Sequence, residues 1–448
     1  MVTLSKIQTS VTLMTLIDKN MIKRLLDFLD ASPVNFLAVD NIAKILNKAG
    51  YREIDPRNPI GKVTEGDKIY VKKNDSSIYA LHIGQERLDN EGFHIICAHC
   101  DSPTFRIKPN AEMTCEGGIV KLNTEVYGGP ILSTWFDRPL TIAGRVILKG
   151  DNAMNPKTRL LHVKRPLMQI SNLAIHFNRQ VNDGVKISKQ KDVLPILGIV
   201  NDDLERGNML MDVITKELNV SREEVLDFDL YLADTTPACT FGMHNEFISS
   251  GRLDDLSMCY AGLEALLASE TTRRTNILAI FDNEETGSQT KQGAGSNFLA
   301  SMIRRICIAQ GGGEEAFCQA VERAFMVSAD NAHAWHPNYS EKYDPTNHPM
   351  LGGGPVVKFN ASQKYASDAV SAAIFSEICR EAGVPCQRFV NHSDVAGGST
   401  LGNILTSSIA LRGVDMGNAI LAMHSCRETG SVADQAYSVK VFTEFYNQ

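Results

Sequence analysis

The sequence feature that most constrains the fold is a set of short apolar runs, each followed directly by acidic or histidine residues. Residues 93–98 precede His99, and residues 276–281 precede the acidic pair Glu284 and Glu285. Continuous apolar runs of this length are typical of strands buried on both faces of a parallel sheet. Open α/β sheets bind ligands at the carboxyl ends of their strands, so the polar residues behind these runs mark a candidate site.

Helix-like and strand-like patterns alternate in both outer parts of the chain. Apolar spacing predicts helices at 20–31 and 40–49 and a hairpin over 68–81. Beyond residue 245 it predicts helices at 256–267, 295–307, 367–382 and 431–446, and strands at 276–281, 324–329 and 409–414. Strands that alternate with helices indicate an α/β fold, in which a mostly parallel sheet is covered by helices.

The middle of the chain has a different pattern. Strand-like runs at 118–122, 140–148 and 173–177 are separated by turn-forming residues. We therefore expect a β-rich domain inserted into the α/β domain. The expected division is 1–110 for the first half of the α/β catalytic domain, 111–244 for the insertion, and 245–448 for the second half.

Composition argues against several classes of protein. The net charge is -7 and no run is rich in Lys or Arg, which disfavours nucleic-acid binding. The ten cysteines are dispersed without a CxxC pair, and no secretory signal opens the chain, so we expect reduced thiols in a cytoplasmic protein. No apolar run reaches the roughly 20 residues needed to cross a bilayer, so no membrane association is expected.

Several candidate ligands also have ordinary structural interpretations. His99 and Asp101 are two residues apart, so on a strand they face the same side, with Asp101 accepting a hydrogen bond from a metal-bound His99; a surface turn is the alternative. Asp254 opens a predicted helix, where a helix cap is the commoner explanation, although either Asp254 or Asp255 could cap while the other binds metal. His424 follows an apolar run at 419–423, where a buried structural histidine is common.

The acidic residues that follow two predicted strands are the strongest local indication of a functional site. Adjacent acids such as Glu284 and Glu285 are costly at the end of a buried strand unless a cation or protons compensate, although a solvated acidic loop is the alternative. Asp330 directly follows the predicted strand 324–329. Carboxylates and imidazoles together suit zinc, cobalt or manganese, so convergence of these residues would indicate metal-assisted hydrolysis.

Longer motifs occur in a fixed order along nearly the whole chain. They are HCDSP at 99–103, YGGPILSTWFDRPLTIAGRV at 127–146, LAIH at 173–176, SSGRLDDL at 249–256, FDNEETGS at 281–288, SADNAHAWHPN at 328–338, HPML at 348–351, YASDA at 365–369, GGSTLG at 397–402 and MHSCRE at 423–428. In this order the motifs resemble the aspartyl aminopeptidase and vacuolar aminopeptidase I family of dinuclear metallopeptidases.

The resemblance implies a set of metal ligands. One divalent ion would be held by His99, Asp254 and Asp330, and a second by Asp254, Glu285 and His424. Asp254 would then bridge the two ions rather than cap its helix. Zinc is the expected metal, with cobalt and manganese as alternatives.

The resemblance also implies catalytic roles. Glu284 would be the general base that activates a water between the two ions, and Asp101 would orient His99. His176 of the insertion would enter the active site of a neighbouring copy and stabilise the oxyanion. The family assembles as tetrahedral homododecamers, which makes the insertion an oligomerisation domain.

The implied activity is removal of the N-terminal residue from peptides, with acidic N-termini as one candidate preference. His333, Lys358 and Tyr365 are candidate substrate contacts, and Lys358 can pair with an acidic side chain. Asp255 stands where the family pattern has asparagine, and Asn403 stands where it has proline, which leaves the preferred N-terminal residue open. The alternatives are a neutral, leucine-type aminopeptidase and a catalytically idle shell or cargo-binding scaffold.

Overall fold

The computed structural model describes residues 19–200 and 208–448 of the chain. Its strands are β1 Arg52–Glu53, β2 Lys68–Lys73, β3 Ser77–His82, β4 Phe93–His99, β5 Thr104–Thr114, β6 Ile119–Tyr127, β7 Leu140–Leu148, β8 Lys157–His162, β9 Ile196–Ile199, β10 Val225–Asp234, β11 Cys239–Phe241, β12 Phe247–Ser250, β13 Thr275–Phe281, β14 Phe325–Ala329, β15 Ala332–His333, β16 Val356–Phe359, β17 Gln387–Val390, β18 Gly413–Gly417, β19 Ala419–Ile420 and β20 Glu428–Ser431.

Helices occur mainly in the two outer parts of the chain. They are α1 Lys19–Ala31, α2 Asn35–Lys48, α3 Leu88–Glu91, α4 Met209–Leu218, α5 Leu253–Ala268, α6 Phe298–Ala309, α7 Glu314–Arg323, α8 Ala369–Glu381, α9 Leu401–Ser408 and α10 Val432–Asn447. Among the described residues, no helix is both long enough and apolar enough to cross a membrane.

A nine-stranded sheet in the order β1-β2-β3-β13-β4-β14-β18-β16-β17 forms the centre of the molecule. Its four middle strands β13, β4, β14 and β18 are parallel to one another. The carboxyl ends of these strands therefore lie along one edge of the sheet. The sequence places the candidate ligands at this edge.

Both faces of the nine-stranded sheet are covered, which explains why its strands are continuously apolar. Side chains alternate between the faces, so Ile96 and Ala98 of β4 pack into one core and Ile95 and Cys97 into the other. Helices α1, α2, α5, α8 and α10 contribute to the first core, and α6, α7 and α9 to the second.

A second, six-stranded sheet has the order β8-β7-β10-β5-β6-β9 and is antiparallel throughout. It has its own hydrophobic core, in which the rings of Phe105 and Trp135 meet edge to face at 5.1 Å. A smaller sheet, β11-β12-β20, joins the strand before α5 to a strand near the carboxyl terminus.

The fold class predicted from the sequence is confirmed by this mixed architecture and its mostly parallel central sheet.

The strand predicted at 173–177 is wrong, because this segment contains only a 3₁₀ turn at Ile175–Phe177. Its apolar side chains are exposed, with Phe177 at 80%, and within residues 19–200 and 208–448 no strand pairs with this segment. The strand predicted at 409–414 begins later, at Gly413. The domain boundaries at 110/111 and 244/245 stay predictions.

Candidate metal centre

Three neighbouring parallel strands deliver polar residues to the same edge of the central sheet. Strand β4 ends at His99, and β14 is followed at once by Asp330. Strand β13 is followed by a 3₁₀ turn, Glu284–Thr286, which begins with the acidic pair. Because these strands are parallel and adjacent, their carboxyl ends bring distant parts of the sequence together.

Asp254 lies between two histidines. Its side chain is buried, the cap position of helix α5 is occupied by Arg252, and the two oxygens of Asp254 face different rings. Nε2 of His99 is 3.6 Å from Oδ1, and Nε2 of His424 is 3.3 Å from Oδ2. The capping interpretation of Asp254 therefore does not describe its side chain.

Glu285 completes a compact set of donors around His424. Its Oε1 is 3.2 Å from Nε2 of His424. Two donors bound tetrahedrally to one zinc ion at about 2.1 Å each lie about 3.4 Å apart, so the nitrogen–oxygen distances around Asp254 and His424 suit a shared cation. Oδ1 of Asp254 and Oε1 of Glu285 are buried and lack a hydrogen-bond partner within the described ranges, which also fits a cation.

The potential ligand atoms fall into two groups that share Asp254. One group contains His99, Asp254 and Glu285, and the other contains Asp254, Asp255 and Asp330, with the ligand atoms in each group within 4.8 Å of one another. Oδ2 of Asp255 already accepts a hydrogen bond from the backbone N–H of His99 at 3.1 Å. The geometry therefore gives Asp255 a supporting position behind His99.

Each histidine is oriented through its other ring nitrogen. Nδ1 of His99 is 3.0 Å from the backbone carbonyl oxygen of Asp101 and 3.4 Å from Oδ1 of its carboxylate. Nδ1 of His424 is 3.2 Å from the carbonyl oxygen of Gly129. A hydrogen bond donated by Nδ1 leaves Nε2 as the free acceptor that a metal requires. Asp101 was expected to orient His99 with its carboxylate, but its carbonyl oxygen makes the closer contact.

The carboxylate of Asp101 instead organises the acidic turn. It accepts hydrogen bonds from the backbone N–H groups of Glu284 and Glu285, both at 3.1 Å, and from the hydroxyl of Tyr127 at 2.7 Å. Because Tyr127 ends β6 of the second sheet, this sheet takes part in holding the acidic turn.

Burial of these acidic groups shifts their pKa values. Burial raises the pKa of Glu284 to about 9 and that of Glu285 to about 7. Burial opposes ionisation of His424, yet the carboxylates of Asp254 and Glu285 raise its pKa to about 11. In this buried cluster the charged form of each acidic group is therefore costly unless positive charge lies beside it.

Comparison with known proteins identifies the family. The family described as Aminopeptidase I zinc metalloprotease (M18) matches residues 28–446. A probable M18 family aminopeptidase 2 of Clostridium novyi is 51% identical over 432 residues, which cover 96% of this chain and 100% of that protein. This chain belongs to the M18 aminopeptidases. It is a metallo-aminopeptidase, as the sequence predicted, and its family uses divalent metal.

Solved M18 structures share the whole fold. A chain in the cryo-EM structure of the Ape4 and Nbr1 complex matches with a TM-score of 0.92 at 34% identity, covering 96% of this chain and 86% of that one. The mApe1 dodecamer of S. cerevisiae matches with a TM-score of 0.83 at 25% identity, covering 95% of each chain. The match therefore includes both sheets.

Of the predicted substrate contacts of this M18 chain, Lys358 lies beside Asp330. Nζ of Lys358 is buried, donates to the carbonyl oxygen of Asn331 at 3.0 Å, and lies 3.6 Å from Oδ1 of Asp330. It also lies 5.5 Å from the ring centroid of Tyr365. His333, in β15, has its ring 6.1 Å from that of Phe389. Lys358 thus already has an anionic neighbour in Asp330.

His176 is the predicted site residue that the fold leaves outside the cluster. It lies in the exposed 3₁₀ turn Ile175–Phe177 of the M18 chain. Within residues 19–200 and 208–448, no hydrogen bond or ion pair joins its ring to the cluster. The structure therefore does not bring His176 to the cluster of its own chain.

Sequence reasoning missed two residues that support the cluster of this aminopeptidase. Tyr127 contacts Asp101, and Glu428 accepts hydrogen bonds from the backbone N–H groups of Asp254 and His424. Both lie inside motifs that carried the family resemblance. Nothing in their local spacing distinguishes them from ordinary strand-end residues, so only the tertiary structure reveals their contacts.

Proposed function

We propose that Asp254 bridges two divalent ions, of which zinc is the best candidate. His99 and Asp330 would complete one site, and Glu285 and His424 the other. The observation that carries this proposal is the position of the Asp254 carboxylate between two histidines. One of its oxygens faces Nε2 of His99, and the other faces Nε2 of His424. A carboxylate with one anionic oxygen for each of two histidines has the arrangement that a bridging ligand needs.

We propose that this centre hydrolyses the N-terminal peptide bond with Glu284 as the general base. Bound divalent ions supply Lewis acidity, which polarises a carbonyl and acidifies water. Glu284 accepts a proton from the attacking water and returns one to the leaving amine. Its ionisation requires nearby positive charge, because burial, together with the neighbouring carboxylates, raises its pKa to about 9. Asp101 keeps Glu284 in place through its backbone N–H.

We propose that acidic N-terminal residues are preferred, with Lys358 as the cationic group that selects them. Burial lowers the pKa of Lys358, but nearby anionic groups, foremost the Asp330 carboxylate, outweigh this and raise it, so the ammonium stays charged. When Asp330 shares its negative charge with a cation, the positive charge of Lys358 is less neutralised and can attract a substrate carboxylate. Tyr365 provides an aromatic wall beside it.

Aspartyl, glutamyl, leucyl and lysyl p-nitroanilides, assayed with chelated and zinc-reconstituted protein, test this function. We expect zinc-dependent turnover with the highest kcat/KM for the acidic substrates. The variant Lys358→Met should reduce kcat/KM for the acidic substrates about 10- to 100-fold and have less effect on the leucyl substrate. An equal reduction for all substrates would mean that Lys358 serves only to position Asp330. A leucyl preference of the unmodified chain would favour the neutral aminopeptidase, and no activity on any substrate would favour the scaffold.

We also propose that the chain self-associates, as a tetrahedral dodecamer, and that His176 acts in a neighbouring copy. The support is the exposed apolar segment around it, in which Leu173, Ile175 and Phe177 are 59%, 52% and 80% exposed. Exposed apolar side chains this close together are typical of surfaces that bind another protein. The related S. cerevisiae protein is described as a dodecamer.

Complementation between two inactive variants tests the proposed role of His176. His176→Phe and Glu284→Gln chains should each be inactive alone. Co-expressed in one particle, they should recover part of the activity, because some sites then combine an intact Glu284 with His176 from another chain. Size-exclusion chromatography with light scattering controls for assembly. Near-normal turnover of His176→Phe alone, or no recovery of activity in mixed particles of normal size, would contradict a role for His176 in the active site of a neighbouring copy.

A further inference from the structure

Glu428 connects two of the proposed ligands through their backbones. Its side chain is 1% exposed. Oε1 accepts a hydrogen bond from the backbone N–H of His424 at 2.8 Å, and Oε2 accepts one from the backbone N–H of Asp254 at 3.1 Å. The two oxygens of one buried carboxylate therefore hold two ligands that are far apart in the sequence.

The surrounding backbone brings these two segments close together. Glu428 begins β20 and pairs with Ser250 at the end of β12, shortly before Asp254. The two backbone segments approach each other closely at Gly251, where a Cβ atom would be 2.7 Å from the carbonyl oxygen of Cys426. A side chain at this position would push the segments apart, so the glycine allows them to stay in contact.

We propose that Glu428 is a positioning residue that sets the separation of the Asp254 and His424 donor atoms and thereby the affinity of the centre for zinc. This inference rests on the proposed function of the cluster. Both oxygens of Glu428 accept hydrogen bonds from backbone N–H groups, and Glu428 belongs to neither group of potential ligand atoms. Its effect passes through Asp254 and His424, whose side chains meet at 3.3 Å.

The chemistry of these hydrogen bonds makes a sharp test possible. In Glu428→Gln one acceptor oxygen becomes an NH₂ donor that faces a backbone N–H, so one bond is lost at constant volume. Glu428→Asp keeps the negative charge but is one methylene shorter, so it cannot reach both N–H groups at once. The two variants separate the effect of charge near the cations from the effect of position.

Asp434 provides a matched control. It is also fully buried, and its two oxygens accept hydrogen bonds from the backbone N–H groups of Gly352 and Gly354 at 2.7 and 2.8 Å. Neither glycine is a proposed ligand. The variant Asp434→Asn therefore removes the same kind of interaction without acting on the Asp254–His424 pair.

The experiment measures Zn²⁺ affinity by competition with a chromophoric chelator, with circular dichroism as the check on folding. We expect Glu428→Gln and Glu428→Asp both to bind Zn²⁺ at least about tenfold more weakly than the unmodified chain, while Asp434→Asn binds within about twofold. If Glu428→Gln does not fold, Glu428→Asp alone decides. Unmodified Zn²⁺ affinity in Glu428→Asp would overturn the proposal, as would equal weakening by Asp434→Asn. An unmodified chain that binds no Zn²⁺ would instead refute the proposed function.

Discussion

The hydroxyl of Tyr127 gives a prediction about how the two sheets are coupled. It donates to Oδ2 of Asp101 at 2.7 Å and accepts from Nδ2 of Asn283 at 2.9 Å. A hydrogen bond to a charged group contributes about 1.5–3 kcal/mol, and one between neutral groups about 1 kcal/mol. Tyr127→Phe removes both bonds, so we expect the free energy of unfolding to fall by about 2–4 kcal/mol.

Denaturation with urea at fixed protein and zinc concentrations measures this loss as a shift of the midpoint. The matched control is Tyr231→Phe, because the Tyr231 ring packs edge-on against Tyr127 at 5.8 Å but its hydroxyl is not a partner of Asp101 among the described contacts. We expect Tyr231→Phe to lower the free energy of unfolding by less than about 1 kcal/mol. The reasoning is refuted if the two variants are equally stable, or if Tyr127→Phe changes the free energy of unfolding by less than about 0.5 kcal/mol.

Three further outcomes follow from individual contacts. Gly402→Ala should lower the free energy of unfolding by about 1–3 kcal/mol, because the new Cβ would lie 2.3 Å from Oδ2 of buried Asp415; an unchanged urea midpoint contradicts this. Zinc binding near pH 7 should release protons, since Glu285 has a pKa of about 7 and His424 one of about 11 without a cation, so affinity should rise with pH. Calorimetry in buffers of different ionisation enthalpy measures the release, and pH-independent affinity would be evidence against it. Lys23→Ala breaks an exposed ion pair on the surface of α1 and should change stability by less than about 0.5 kcal/mol in the same urea assay.

The edge of the central sheet was predictable from the sequence because its strands are parallel. A buried strand is apolar along its whole length, so its end and the first polar residue behind it can be read directly, as for His99 and Asp330. Parallel neighbours then place such ends together without any knowledge of side-chain packing. This part of the candidate site needs only local patterns and one rule of topology.

The remaining contacts depend on segments that the sequence cannot bring together. Asp254 fits a helix cap by its position, and only its two histidine neighbours in space show that its carboxylate points elsewhere. Glu428 is an acid at the start of a short strand, a position that is usually solvated. The apolar segment 173–177 has the composition of a strand but pairs with no strand in the described part of the chain. Strand formation depends on neighbours as well as on residue type.

The most direct test of the two-ion centre combines metal content and turnover in Glu284→Gln. Glu284 belongs to neither group of potential ligand atoms, so the variant should keep two zinc ions per chain, as counted by mass spectrometry of the desalted protein. Its kcat should fall by about 10²- to 10⁴-fold, the usual contribution of a general base. Two bound zinc ions with near-normal turnover would contradict the role of Glu284, and loss of zinc from the variant would contradict the assignment of the ligands.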